Sequence, residues 1–199
     1  MGLLSRVFGE TGSILKGGKF YLNGEYHRAI EEFTKALRMN PSNVSLYQQR
    51  GLAYAKSNQL REAIGDFERV LSLNPPNRRL LSEAAFNCAR ANEKLENYEK
   101  AAEFYGRAIE IDAGNSQAWC NKGSVLVKMS EFEEARKCLN EALRLDPNDV
   151  VAYFDRAIVN QQLQEYDQTA ADLKKYLELA PPSHPGYGDA QRALAQLTK

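Results

Sequence analysis

The residues that could bind phosphate, hold a metal or catalyse a reaction are few in this sequence. Residues 12–20 resemble a phosphate-binding loop, but Lys19 falls one residue late and no Ser or Thr follows it. We interpret the glycines of this stretch as sites where two helices pack closely. His27 and His184 have no Cys or acidic partner at metal-ligand spacing, and we interpret both as surface residues. The sequence therefore predicts a protein that is not an enzyme and has no cofactor or metal site.

The composition is that of an ordinary globular protein. The 199 residues include 26 Lys and Arg and 26 Asp and Glu, and this balance argues against a nucleic-acid-binding protein, which requires a basic face. No apolar run approaches the ~20 residues that cross a bilayer, and residues 1–8 are too short for a signal peptide. Cys88, Cys120 and Cys138 are far apart and odd in number, which is typical of reduced core thiols. We therefore expect a cytoplasmic protein.

The spacing of four prolines predicts an internal repeat. Pro41 and Pro75 are 34 residues apart, and so are Pro147 and Pro181. The 72 residues from Pro75 to Pro147 equal two such periods plus four residues. The sequence therefore divides into five blocks, residues 10–43, 44–77, 82–115, 116–149 and 150–183, with a four-residue insertion at 78–81. Because four residues make about one helical turn, the insertion is expected to extend the first helix of the third block back to near Asn77.

Equivalent positions of the five blocks share the size of their side chains. Small residues stand at position 8, where two helices must approach closely: Gly17, Gly51, Ala89, Gly123 and Ala157. Large residues that fill a gap stand at position 24: Phe33, Phe67, Tyr105, Leu139 and Leu173. Within each block, apolar residues recur at helical spacing twice and are separated by a polar turn. The pattern predicts an all-α protein built from helix–turn–helix units.

The blocks resemble the tetratricopeptide repeat, a helix–turn–helix unit with a fixed series of aromatic, small and proline positions. The second block shows this series as Tyr47, Gly51, Tyr54, Ala63, Phe67 and Pro75, and the fourth as Trp119, Gly123, Ala135, Ala142 and Pro147. The resemblance covers residues 10–183. It implies a right-handed superhelical solenoid of about five repeats, with an N-terminal segment at residues 1–9 and a C-terminal capping helix at residues 184–199.

The resemblance also implies a binding site, because the first helices of such repeats line a concave groove. We expect positions 2, 5, 6 and 9 of these helices to face it, and the predicted groove residues are Gln48, Gln49, Leu52, Phe86, Asn87, Arg90, Cys120, Asn121, Phe154, Asp155 and Ile158. Asn87 and Asn121 match family asparagines that hydrogen-bond a ligand backbone, and Phe86 and Phe154 would anchor apolar side chains. The alternatives are that the asparagines are only solvated and that the rings pack on neighbouring helices.

The function implied by the resemblance is that of a protein-binding adaptor without catalytic activity, whose partner is a peptide or helix. Only Arg90 is basic among the groove positions, so the cluster that clamps a terminal carboxylate in chaperone-binding members is absent. The alternative is a self-assembling scaffold with head-to-tail contacts. Residues 1–100 carry 15 Lys and Arg against 11 Asp and Glu, whereas residues 101–199 carry 11 against 15. The N-terminal apolar side chains, which include Leu3, Leu4, Val7 and Phe8, offer another route to such contacts.

Overall fold

The computed structural model describes the backbone of residues 3–197 and the side chains of residues 9–197. Within this range the secondary structure consists of helices and turns, which confirms the all-α prediction. The helices are α1 (Leu3–Leu22), α2 (Tyr26–Met39), α3 (Val44–Lys56), α4 (Leu60–Leu73), α5 (Arg78–Lys94), α6 (Tyr98–Ile111), α7 (Ser116–Lys128), α8 (Phe132–Leu145), α9 (Val150–Gln162), α10 (Tyr166–Leu179) and α11 (Tyr187–Leu197).

The helices begin and end where the repeat places polar caps and turns. The first helices α3, α5, α7 and α9 follow a side chain that accepts a hydrogen bond from a backbone N–H of the first turn: Asn43, Asn77, Asn115 and Asp149. The turn to each second helix has positive φ at position 15, at Gly24, Asn58, Glu96, Ser130 and Gln164. This single left-handed residue reverses the chain in every repeat. Since α5 starts at Arg78, the four inserted residues do extend this helix backwards.

The first helix is longer than the repeat pattern predicts. It begins at Leu3 and runs without a break to Leu22, across the boundary expected between residues 1–9 and the first repeat. The side chains of residues 3–8 lie outside the described ones, and so does any docking of the N-terminal apolar segment.

The chain forms two compact units, residues 1–111 (unit 1) and residues 112–199 (unit 2). Unit 1 contains α1–α6 and unit 2 contains α7–α11. Phe33 and Phe67 are buried in the core of unit 1, and Leu139 and Tyr176 are buried in unit 2. Each unit is thus built from helix–turn–helix pairs, and unit 2 ends with the additional helix α11.

Glycines at position 8 allow the two helices of a repeat to approach closely. A Cβ atom on Gly17 would lie 2.6 Å from the Phe33 ring, and one on Gly123 would lie 2.7 Å from the Leu139 side chain. Real Cβ atoms do not approach other atoms so closely, so the space is fully occupied. The predicted match of a small position 8 with a large position 24 is present in these repeats.

The three cysteines are buried and free, as predicted for core thiols. Burial raises the pKa of Cys88 to about 12 and that of Cys138 to about 11, and it also raises the pKa of Cys120. Because the thiolate is the reactive form, we expect the folded protein to react only very slowly with dithionitrobenzoate near neutral pH. In the unfolded protein all three thiols should react and release three equivalents of the coloured thionitrobenzoate. Rapid labelling of the folded chain would contradict this expectation and indicate local opening of a helix pair.

Candidate binding surface on the first helices

The structure brings three of the predicted groove residues of unit 1 into one depression. Leu52 of α3 lies beside Asn87 and Arg90 of α5, and together they line a cavity of about 90 Å³. The other lining residues are Ala55, Lys56, Leu60, Ala91 and Lys94. The helices that form it belong to two successive repeats, so the depression exists because these repeats pack side by side.

The depression combines apolar side chains with cations. Its apolar lining consists of Leu52, Ala55, Leu60 and Ala91, whereas Lys56, Arg90 and Lys94 are exposed. Lys56 and Lys94 were not among the predicted groove residues, because they stand at position 13. A signal was present in the sequence, since Lys56 follows Leu52 by four residues and Lys94 follows Arg90 by four, so each pair shares one helix face.

A wider, open depression adjoins the first one. It has a volume of about 760 Å³, shares Leu60 and Lys94 with the first, and is also lined by Arg61 and Glu62. The remaining lining residues are Asn58, Gln59 and Leu95. We call the two together the basic depression, because Lys56, Arg61, Arg90 and Lys94 outnumber the one acidic residue that lines it.

Position 5 of α3 and of α7 is buried, which corrects part of the prediction. Gln48 is only 6% exposed and Cys120 only 3%, so neither can contact a partner. The physical reason is visible at Phe86, whose ring packs edge-to-face on the buried Tyr105 of α6 at a centroid distance of 5.5 Å. In the third repeat, position 5 therefore turns towards the second helix of its own repeat. Gln49, one residue further along α3, is exposed.

Phe154 in unit 2 packs in the same way. The centroid of its ring lies 5.0 Å from that of the buried Tyr176. Gly186 also packs closely on the Phe154 ring, because a Cβ atom on this glycine would lie 2.9 Å from the ring. The prediction that Phe86 and Phe154 lie outside the packing layers was wrong. Both rings remain partly exposed, so each contributes to the core and to the surface.

The other predicted groove residues of unit 2 lie in different surroundings. Phe154 and Ile158 line a cavity of about 130 Å³ formed by α9, α10 and α11, together with Ala157, Gln161, Thr169, Leu173, Asp189, Ala190 and Ala193. No Lys or Arg lines this cavity. Asp155 accepts a hydrogen bond from the Ser124 hydroxyl, and Asn121 is half-buried. Unit 2 therefore offers an apolar depression with a single acidic neighbour.

Two ion pairs, each between a half-buried arginine and a buried aspartate, were not found from the sequence. Arg50 donates to both carboxylate oxygens of Asp66 at 2.8 and 2.7 Å, and Arg156 does the same to Asp172 at 2.9 and 2.6 Å. The arginines stand at position 7 and the aspartates at position 23 of their repeats. The Asp66 hydrogen bond raises the pKa of Arg50, while burial raises the pKa of Asp66.

These pairs also link successive repeats. Arg50 donates from its third nitrogen to the Thr34 hydroxyl at 3.1 Å, and Arg156 donates to the Asn140 side-chain oxygen at 2.7 Å. Each acceptor stands at position 25 of the preceding repeat. The guanidinium therefore bridges three helices, a role that its planar set of donors allows.

The side chains of residues 9–197 include no group of three or more His, Cys, Asp or Glu residues arranged to hold a metal ion. No helix among the described residues is long and apolar enough to cross a membrane.

Comparisons with known proteins agree with the helical repeat pattern. Family models described as "Tetratricopeptide repeat" match residues 44–77, 93–155 and 126–198, and one described as "TPR repeat" matches residues 17–58.

Solved structures with the same fold include MamA, which is 22% identical with a TM-score of 0.79, over 85% of this chain and 91% of that one. YrrB, described as a TPR protein with an unusual peptide-binding site, is 21% identical with a TM-score of 0.76, over 90% of both chains. A tetratricopeptide repeat protein from Parabacteroides merdae is 20% identical with a TM-score of 0.79, over 95% of this chain and 72% of that one. At these identities the likeness shows a shared fold.

Proposed function

Because this chain belongs to the tetratricopeptide repeat family, we propose that it is a non-enzymatic adaptor that binds a peptide or helix of a partner protein on its first helices. Proteins of this fold act in general as interaction modules. The observation that carries the proposal is the depression between α3 and α5, where Leu52, Asn87 and Arg90 lie together. Its apolar lining can accept a side chain, and the Asn87 amide offers both a donor and an acceptor to a peptide backbone. The peptide-binding site described for YrrB gives further support.

Selection from a random peptide library tests this proposal with the full chain as bait. We expect the selected peptides to lose at least about tenfold in affinity, or ~1.4 kcal/mol, when Asn87 and Arg90 are both changed to Ala. The change Lys100→Ala with Arg107→Ala is the matched control, because both residues are exposed on α6 and line neither part of the basic depression. Selection of no peptide, or equal weakening by both double variants, would contradict the proposal.

Self-assembly is the second candidate function. The opposite charge balance of the two halves favours it, and so does Tyr166, which is 52% exposed between Glu165 and Asp167. Exposed charges are screened over ~8 Å at physiological ionic strength, so we expect an assembly that depends on them to dissociate as salt is raised. Sedimentation velocity at low and high salt measures this. A monomer under both conditions would remove this candidate.

A further inference from the structure

We propose that the basic depression of unit 1 binds an acidic segment of a partner protein, in which Asp and Glu residues flank one apolar side chain. This inference rests on the proposed function and specifies the chemistry of the partner. It goes beyond the sequence prediction, which identified a single basic groove residue.

The charge of the depression is the first argument. Lys56, Arg61, Arg90 and Lys94 are exposed, and none of the four forms an ion pair with the side chains of residues 9–197. The Arg90 guanidinium lies 5.9 Å from the centroid of the Phe86 ring, an uncharged neighbour that leaves its positive charge unneutralised. The four cations around the two adjoining hollows repel one another, and the single carboxylate, that of Glu62, offsets this repulsion only in part. An acidic ligand relieves the remainder.

Three other exposed cations of unit 1 are arranged differently. Arg28 pairs with Glu25, Lys35 with Glu32 and Arg79 with Glu83, each within one helical turn. Such pairs neutralise the helix surface locally. The cations of the basic depression come from α3, α4 and α5, so it is the packing of these helices that gathers them around one place.

The shape and apolar lining of the depression are the second argument. The inner cavity of about 90 Å³ is smaller than the ~150 Å³ of a cavity that binds benzene, so it fits one side chain of about the size of leucine. Leu52, Ala55, Leu60 and Ala91 supply apolar contacts for that side chain. A purely acidic ligand would make no use of the apolar lining. An acidic segment with one apolar residue can contact both the apolar lining and the cations.

Two further comparisons limit which unit the partner binds and which class of molecule it is. The depression of unit 2 is lined by Asp189 and by no Lys or Arg, and the nearby Arg192 is paired with Asp189, so the lining offers an acidic ligand no free counter-charge. The basic depression has no aromatic residue in its lining, and therefore no platform on which the bases of a single-stranded nucleic acid could stack. These features favour an acidic peptide bound to unit 1.

Fluorescence polarisation with short labelled peptides and the full chain tests the proposal. The probe has one leucine flanked on both sides by Asp and Glu. Matched peptides replace the acids by Asn and Gln, replace them by Lys, or replace the leucine by Ser. We expect the probe to bind and each replacement to weaken binding at least about tenfold, or ~1.4 kcal/mol. Affinity should also fall as salt is raised.

Charge reversal in the protein locates the site. The double variant Lys56→Glu with Lys94→Glu should bind the probe at least about tenfold more weakly. The double variant Lys100→Glu with Arg107→Glu changes the net charge equally, and its affinity for the probe should be nearly that of the wild type. Circular dichroism melts of both double variants show whether they are folded. Equal weakening by the two double variants would overturn the inference, because the attraction would then be a general effect of net charge.

The outcomes separate this inference from the proposed function. If the neutral or the basic peptide binds as tightly as the acidic probe and its binding is weakened by Asn87→Ala with Arg90→Ala, the peptide-binding function stands and the acidic specificity is wrong. If no peptide of any charge binds, both fail. If the chain self-associates and Lys56→Glu with Lys94→Glu abolishes this, a second copy occupies the depression and the inference of a separate partner is overturned.

Discussion

A chain that ends after Pro182 should melt roughly 5–15 °C below the full chain and should be less soluble. The missing residues include α11, whose Tyr187, Ala190 and Leu194 pack on the core around Tyr176. Full burial of a large apolar side chain stabilises a fold by about 1.5–3 kcal/mol, so the half-buried Tyr187 and Leu194 together contribute about 2–4 kcal/mol. A loss of 1 kcal/mol lowers the melting temperature of a chain of this size by about 2–4 °C.

The Tyr176 hydroxyl adds to the expected loss. Burial raises the pKa of Tyr176, so the hydroxyl stays protonated, and it donates a hydrogen bond of 2.7 Å to the Pro185 carbonyl oxygen. The same hydroxyl lies 2.8 Å from Nδ1 of His184. Truncation leaves this polar group without its partners and exposes an aromatic ring that is fully buried in the complete chain.

Point variants keep the test decisive if the shortened chain does not fold. Tyr187→Ala with Leu194→Ala removes two side chains that contact the core, whereas Gln191→Ala changes an exposed residue of the same helix. We expect the first variant to lower the melting temperature in the same direction as the truncation, and the second to change it little. A truncated chain that melts like the full one would show that α11 does not cap the fifth repeat.

The fold was predictable because each packing position recurs five times along the chain. A small position 8 opposite a large position 24 is a local requirement of one helix pair, and Gly51 with Phe67 repeats what Gly17 with Phe33 shows. A single such match would carry little information. Recurrence at a fixed period identifies helices, turns and their pairing together.

The candidate site was only partly predictable, because exposure depends on what packs over a residue. Helical geometry places position 5 beside position 9, and both Gln48 and Leu52 were expected in a groove. Gln48 is buried, whereas Leu52 remains partly exposed. Lys56 and Lys94 reach the depression only because α3 and α5 lie side by side, and the sequence of either helix alone does not show this.

The Arg50–Asp66 pair, in which the aspartate is buried, joins residues sixteen positions apart and leads to the second large expected effect. Arg50→Met should lower the free energy of unfolding by about 3 kcal/mol, since removal of one partner from a buried pair typically costs 3–5 kcal/mol. Asp66 is only 5% exposed, and Arg50 is its sole hydrogen-bond partner among the described side chains. Methionine keeps the apolar stem of arginine, so the loss comes mainly from the unpaired carboxylate. Urea denaturation measures it.

The double variant Arg50→Met with Asp66→Leu should recover most of this loss, because two apolar side chains leave no charge to desolvate. Arg61→Met is the control, since Arg61 is exposed and has no ion pair with the described side chains, and its effect should stay within about 0.5 kcal/mol.

The pH dependence of the Arg50→Met variant separates the loss of charge pairing from the loss of packing. Without Arg50, burial alone acts on Asp66 and holds its pKa further above the ordinary value than in the wild type. A carboxyl with a folded-state pKa above its unfolded value favours the folded state when protonated, so the deficit should shrink as pH falls from neutral to mildly acidic. The loss in free energy of unfolding could instead be equal at neutral and at mildly acidic pH and persist in the double variant. Arg50 would then stabilise the fold through its hydrogen bond to Thr34 and its own packing, and not through Asp66.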